Sequence, residues 1–120
     1  MRVAVTAQGS GLDAMVDVRF GRAGDFVIVN TDTGGIEHLG NAEGRGAGQG
    51  AGIQAARRMG EHGVQGVLTG HCGPNAFRTL QAAGIQVYTG LRGGTVREAI
   101  EQFRGGKLEE ARAGDVVGHW

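Results

Sequence analysis

The chain has 120 residues, with 12 basic and 12 acidic side chains and four histidines, so its formal net charge is zero. That balance excludes the strongly positive surface that nucleic acid or an anionic membrane normally requires, but not a small anion in a local pocket. The length allows one domain over residues 1–120, and the single cysteine rules out an internal disulfide. No apolar run approaches the roughly 20 residues of a membrane span, and Met1 to Val5 carries no signal-peptide pattern, so a cytoplasmic location is expected.

The β-branched segment Arg2 to Ala7, bounded by Gln8-Gly-Ser-Gly11, predicts a first strand. Asp25 to Asn30 is apolar enough for a second strand buried on both faces. The turn residues Thr31 to Gly35 then allow Ile36 to Gly40 to return antiparallel as a third. From Gln49 the period becomes helical. Ile53, Ala56, Met59 and Gly60 share one side, and the helix ends near Gly63.

Val64 to Thr69 reads as a fourth strand. Pro74 suits the first turn of a second helix, which turns Phe77, Leu80 and Ala82 or Ala83 inward and stops at Gly84. Ile85 to Thr89 is a fifth strand. Thr95-Val-Arg-Glu98 is a capping box, followed by Val96, Ala99, Ile100 and Phe103 at helical spacing and by Gly105 as the stop. The order βββαβαβα predicts an α/β fold with a five-stranded mixed sheet flanked by helices, its later strands joined by right-handed crossovers. Ligands of such sheets favour the loops at the carboxyl ends of parallel strands. Three glycine-bearing loops qualify: Gln8 to Gly11, Gly70 to Gly73 and Gly90 to Gly94.

The stretch Thr69-Gly-His-Cys-Gly-Pro-Asn-Ala-Phe77 places the lone cysteine beside a histidine, ahead of a helix start that favours a thiolate. Two readings stand for Cys72, a soft metal contact with His71 or a small buried hydrophobe at the strand-to-helix corner. One thiolate cannot hold a simple iron–sulfur cluster, and one His-Cys pair does not make a structural zinc site, so a metal here must bring its own ligands or recruit a second chain. Cys72 as a nucleophile with His71 as base is disfavoured, because adjacent residues leaving a strand point in opposite directions. Gly46-Ala-Gly-Gln-Gly-Ala51 is a weak dinucleotide motif, without an acidic residue about 20 positions on, and reads as a linker or a loop folding over a ligand. Arg19 and Arg22 flank a Phe-Gly turn and suit a polarisable anion, or are simply solvated.

Four blocks, Val16-Asp-Val-Arg-Phe-Gly-Arg-Ala-Gly-Asp-Phe-Val-Ile-Val29, Gly50 to Ala56, Thr69 to Phe77 and Gly94 to Ile100, together resemble the dinitrogenase iron–molybdenum cofactor biosynthesis family over nearly the whole chain. The resemblance is to its small stand-alone members, whose cargo includes a molybdenum–copper sulfide cluster. It implies a ribonuclease H-like fold and a non-enzymatic protein that holds a preformed, anionic Mo–S or mixed Mo/Cu–S cluster. It also implies that Arg19, Arg22, Gly70, His71, Cys72 and Gly73 bind the cluster, with His71 and Cys72 as the candidate direct ligands. The nitrogenase carriers commonly have histidine before the Phe-Gly pair. Arg19 stands there instead, which disfavours the iron–molybdenum cofactor and favours a thiometallate held by charge. Other proteins are further candidate partners, and the alternative is a regulatory or interaction module with an empty ancestral pocket.

Overall fold

The structure is a computed structural model that describes residues 1–41 and 50–112. Strand β1 (Arg2–Ala7) pairs antiparallel with β2 (Asp25–Asn30), which pairs antiparallel with β3 (Ile36–Gly40). The Asn30 side chain accepts from the amides of Asp32 and Thr33, and Gly34 supplies the positive φ of 78° that closes the turn between β2 and β3. Helix α1 (Ala51–Glu61) leads to β4 (Gly66–Leu68), α2 (Pro74–Ala82) to β5 (Gln86–Thr89), and α3 (Val96–Arg104) follows. β4 is parallel to β1, and β5 to β4. The order β3-β2-β1-β4-β5 is the ribonuclease H-like arrangement that the resemblance implies.

A sixth strand, β6 (Glu109–Glu110), corrects the expected five. It pairs antiparallel with Tyr88 and Thr89 on the otherwise open edge of β5. Two glutamates carry no strand propensity; the open backbone edge, extended by Ala111 N donating to Val87 O at 2.7 Å, selects this conformation.

Alternation along the strands builds two cores. Ala4, Phe26, Ile28, Val67 and Val87 face α1 and α2, while Val3, Val5, Val27, Val29 and Leu68 face α3. Helix α1 is rotated from its expected face: Ala51, Ala55, Ala56 and Met59 are buried, Ile53 is half-buried and Gly60 is exposed. Packing of α1 on α2 explains the rotation. A Cβ on Gly52 would stand 2.9 Å from the Ala76 Cβ, so the small side of α1 is the side that can approach. In α2, Ala76, Phe77 and Leu80 are buried, whereas Ala82 and Ala83 are exposed at the end of the helix, beyond the reach of the sheet. The capping box of α3 forms as expected, with Thr95 Oγ1 accepting from Glu98 N at 3.2 Å and Glu98 Oε1 accepting from Thr95 N at 2.9 Å. No described helix is long and apolar enough to cross a membrane.

Candidate functional site

The carboxyl ends of β1, β4 and β5 are tied together by backbone hydrogen bonds. The β1–β2 connection runs back along both later loops. Its first part lies on the start of α3: Val16 N donates to Gly94 O, Val96 N to Ala14 O and Arg97 N to Leu12 O, at 2.8 to 2.9 Å. Its second part lies on the His-Cys loop, where His71 N donates to Val18 O at 2.7 Å and Phe20 N to His71 O at 3.1 Å. Arg19 and His71 thereby become neighbours in a short parallel bridge. Gly90 N donates to Gly70 O at 3.0 Å and closes the third side.

Gly70 is at the crossing point of all three segments. A Cβ there would lie 2.6 Å from the Val18 Cβ, 2.7 Å from Leu91 O and 2.8 Å from Val18 O. Only hydrogen fits, so this glycine is required by close approach rather than by its dihedral angles. Gly21 does the same on the other side. Its Cβ would meet the Cα and N of Gly52 at 2.7 Å, so the Phe-Gly turn rests directly on the first turn of α1.

Two helix N-termini therefore meet under the Arg19–Arg22 turn, because Gly52 is in the first turn of α1 and also faces Ala76 in the first turn of α2. Both helices begin after glycine, Gly50 and Gly73, and neither has a side-chain cap or an acidic residue in its first turn. Backbone N–H groups at such starts have no intrahelical acceptor and carry the positive end of the helix dipole. Helix α3 provides the contrast, since Thr95 and Glu98 complete its start.

Arg19 is exposed, Arg22 and His71 are half-buried, and Gly70 and Gly73 are buried. Cys72 is 1% exposed, in the apolar cluster with Phe20, Ala55 and Ala76. Among the described residues no three His, Cys, Asp or Glu side chains come together as a metal-ion site. The arrangement can hold an anion, by charge and by N–H donation, more readily than it can coordinate a bare cation. A separate hollow bordered by Thr89, Glu109, Glu110, Ala111 and Arg112 contains none of these residues.

Of the three glycine loops expected at the site, Gly70–Gly73 and Gly90–Gly94 adjoin, while Gln8–Gly11 leads into residues 12–16, which bond to the start of α3. The glycine-rich 42–49 stretch, most of the expected G-x-G-x-x-A motif, lies outside the described residues, as does Trp120.

Three supporting residues carry no sequence signal of their own. Asn41 is buried, and its Nδ2 donates to Ala23 O at 2.8 Å and Gly21 O at 3.3 Å. Arg58, reaching from α1, donates to Gly40 O at 2.7 Å and to Asn41 Oδ1 at 3.4 Å, so the Phe-Gly-Arg turn is fastened to β3 and α1 together. Asp17 is buried directly behind Arg19.

The family model for the dinitrogenase iron–molybdenum cofactor matches residues 1–106. Among solved structures, the apo form of the orange protein from Desulfovibrio gigas is 45% identical, with 96% of each chain covered and a TM-score of 0.93. A putative NifB protein from Thermotoga, solved by NMR, is 38% identical over 98% of each chain, with a TM-score of 0.83. A putative dinitrogenase from Methanocaldococcus jannaschii, 17% identical over 94% of this chain and 96% of its own, shares the fold with a TM-score of 0.71. A comparison with curated proteins gives no match. With the family model spanning most of its length and the orange protein matching nearly all of it, the chain belongs to the dinitrogenase iron–molybdenum cofactor family.

Proposed function

We propose that this protein binds and carries a preformed, anionic metal–sulfur cluster, Mo–S or mixed Mo/Cu–S, and catalyses no reaction on it. One observation carries the reading: two helix starts without side-chain caps or first-turn acids converge beneath a turn that bears two arginines. Such a corner collects N–H donors and positive charge without gathering protein ligands, which suits a cargo whose sulfides already complete most of its coordination.

Arg19 and Arg22 would offset the charge of the cluster. The guanidinium group is weakly hydrated and planar, so it suits a polarisable sulfide face better than an ammonium would. The loop Gly70 to Gly73 would line the cluster and donate from its amides other than that of His71, which Val18 O holds, and the half-buried His71 side chain would offer one soft nitrogen. Cys72, with its side chain in the core, is assigned to packing behind the cluster rather than to coordination. Arg19 cannot ligate a metal, which supports a thiometallate over the iron–molybdenum cofactor. A carrier must also meet the proteins that load and unload it, so further protein partners belong to this reading.

The test is to mix metal-free protein with tetrathiomolybdate, with and without copper, desalt it, and measure visible absorption and bound metal on the protein peak. A coloured, stoichiometric complex is expected. A colourless, metal-free peak in every condition, including iron with sulfide, would overturn the reading in favour of a scaffold that works through protein partners alone.

A further inference from the structure

Asp17 is the costliest polar group near the site, and none of the binding roles proposed above uses it. Its carboxylate is 5% exposed. An ionised carboxylate taken out of water needs compensating donors or it destabilises the fold by several kcal/mol. The described donors to this one both come from a single residue: Arg19 N lies 3.0 Å and Arg19 Nε 3.4 Å from Asp17 Oδ1.

The backbone of Asp17 is fixed from the other side. Its N–H donates to Thr6 O at 2.9 Å, and its carbonyl accepts from Thr6 Oγ1 at 2.5 Å. Thr6 Oγ1 is also 2.9 Å from the hydroxyl of Thr69, so β1, β4 and the β1–β2 connection share one buried polar knot. Asp17 thus transmits the rigid position of the central strands to the base of the Arg19 side chain.

The guanidinium offers two donor edges to an anion, the terminal pair of Nη groups and the side formed by Nε with one Nη. Asp17 occupies Nε. The terminal Nη groups of Arg19 have no partner among the described residues. We infer that Asp17 is a positioning residue that fixes Arg19 so that its terminal Nη pair is presented to the bound anion. The inference rests on the cluster-carrier reading, because the direction in which Arg19 is held matters only if an anion binds there.

Charge alone makes the opposite prediction. Replacing Asp17 by the near-isosteric asparagine removes a negative charge beside the pocket, keeps a neutral oxygen for the Arg19 amide and takes the charge assistance from the longer, 3.4 Å contact to Nε. Simple electrostatics then tightens anion binding, whereas loss of positioning weakens it.

The experiment is a double-mutant cycle on tetrathiomolybdate binding with the wild type, D17N, R19A and D17N/R19A, each checked for folding by thermal unfolding. The expected result is binding about three- to tenfold weaker in D17N, the scale of one ordinary hydrogen bond and less than the loss of Arg19 itself. In the R19A background the same change should leave binding unaltered or slightly tighter. Tighter binding by D17N, or equal weakening in both backgrounds, would overturn the inference while leaving the carrier reading intact. Failure of the wild type to bind would overturn both. A second measurement needs no ligand: in the metal-free protein, NMR of the arginine Nε–H groups should show slow solvent exchange for Arg19 relative to exposed Arg57, and D17A should abolish the difference. An Arg19 signal indistinguishable from that of Arg57 in the wild type would also overturn the inference.

Discussion

Replacing Gly70 by alanine adds one methyl group, and three fixed atoms already occupy the space it needs. Val18 Cβ at 2.6 Å, Leu91 O at 2.7 Å and Val18 O at 2.8 Å are all closer than real Cβ contacts, and two of them are backbone oxygens with no rotamer to change. Relief requires the β1–β2 connection and the β5–α3 loop to move apart, which stretches His71 N to Val18 O at 2.7 Å and Gly90 N to Gly70 O at 3.0 Å. Overpacking costs about 1–3 kcal/mol. The loss of one or two hydrogen bonds adds about 1 kcal/mol each. A destabilisation of about 3 kcal/mol corresponds to a fall in Tm of roughly 10 °C for a domain of this size. Gly11→Ala is the matched control, because nothing lies within 4 Å of its Cβ position and its φ is not positive. That change should be neutral or stabilise by up to about 1 kcal/mol through the unfolded chain. Thermal unfolding followed by circular dichroism reads both. A Gly70→Ala protein melting within about 2 °C of the wild type would refute the claim that the three segments are packed through that point.

Gly52→Ala should destabilise by about 1–3 kcal/mol through its 2.9 Å approach to the Ala76 Cβ, and Ala76→Gly in the same chain should recover part of that loss; no recovery would place the clash elsewhere. Thr95→Ala should cost about 1 kcal/mol in urea unfolding, because it removes the side-chain acceptor of the capping box; an unchanged midpoint would contradict the cap geometry. The Asp32 carboxylate accepts a hydrogen bond from the Met1 ammonium at 2.8 Å, and that bond, with the ammonium's charge, holds its pKa below the ordinary carboxylate value. The stabilisation is therefore fully present above the unfolded carboxylate pKa and is lost as pH falls through the lowered folded value. The Tm difference between wild type and Asp32→Asn should be small near neutral pH and vanish under strong acid; a gap that widens on acidification would reverse the sign of this reasoning.

Strand and helix order was legible because each element carries its own period. The β-branched runs of β1 and β2, the Pro74 helix start and the Thr95–Glu98 box each specify local conformation within a few residues. β6 was not legible, because its two glutamates adopt a strand only when the β5 edge is already in place. The face of α1 was misjudged for a related reason: Ile53 is the larger apolar residue, yet the glycine and alanines of α1 allow the close approach to α2. At the site, sequence spacing marked the Phe-Gly and His-Cys blocks, and the Arg19–His71 bridge brings them together. Asp17 and Asn41 escaped notice, since a buried carboxylate or amide looks like a solvated one until its neighbours are known. Gly21 and Gly70 were likewise indistinguishable from turn glycines, because close approach of distant backbone leaves no local pattern.

Comparative binding decides whether charge at the Arg19 turn holds an anionic metal–sulfur cargo. The dissociation constant for tetrathiomolybdate should be measured by equilibrium dialysis at fixed ionic strength for the wild type, Arg19→Ala and Arg104→Ala. Arg104 makes a useful control because it is exposed and donates to Thr31 O at 2.9 Å, away from the residues proposed to hold the cluster. A charge-assisted contact is worth about 1.5–3 kcal/mol, so Arg19→Ala should weaken binding roughly 10- to 100-fold while Arg104→Ala leaves it within about twofold. Equal effects of the two substitutions, or no effect of either, would contradict the account.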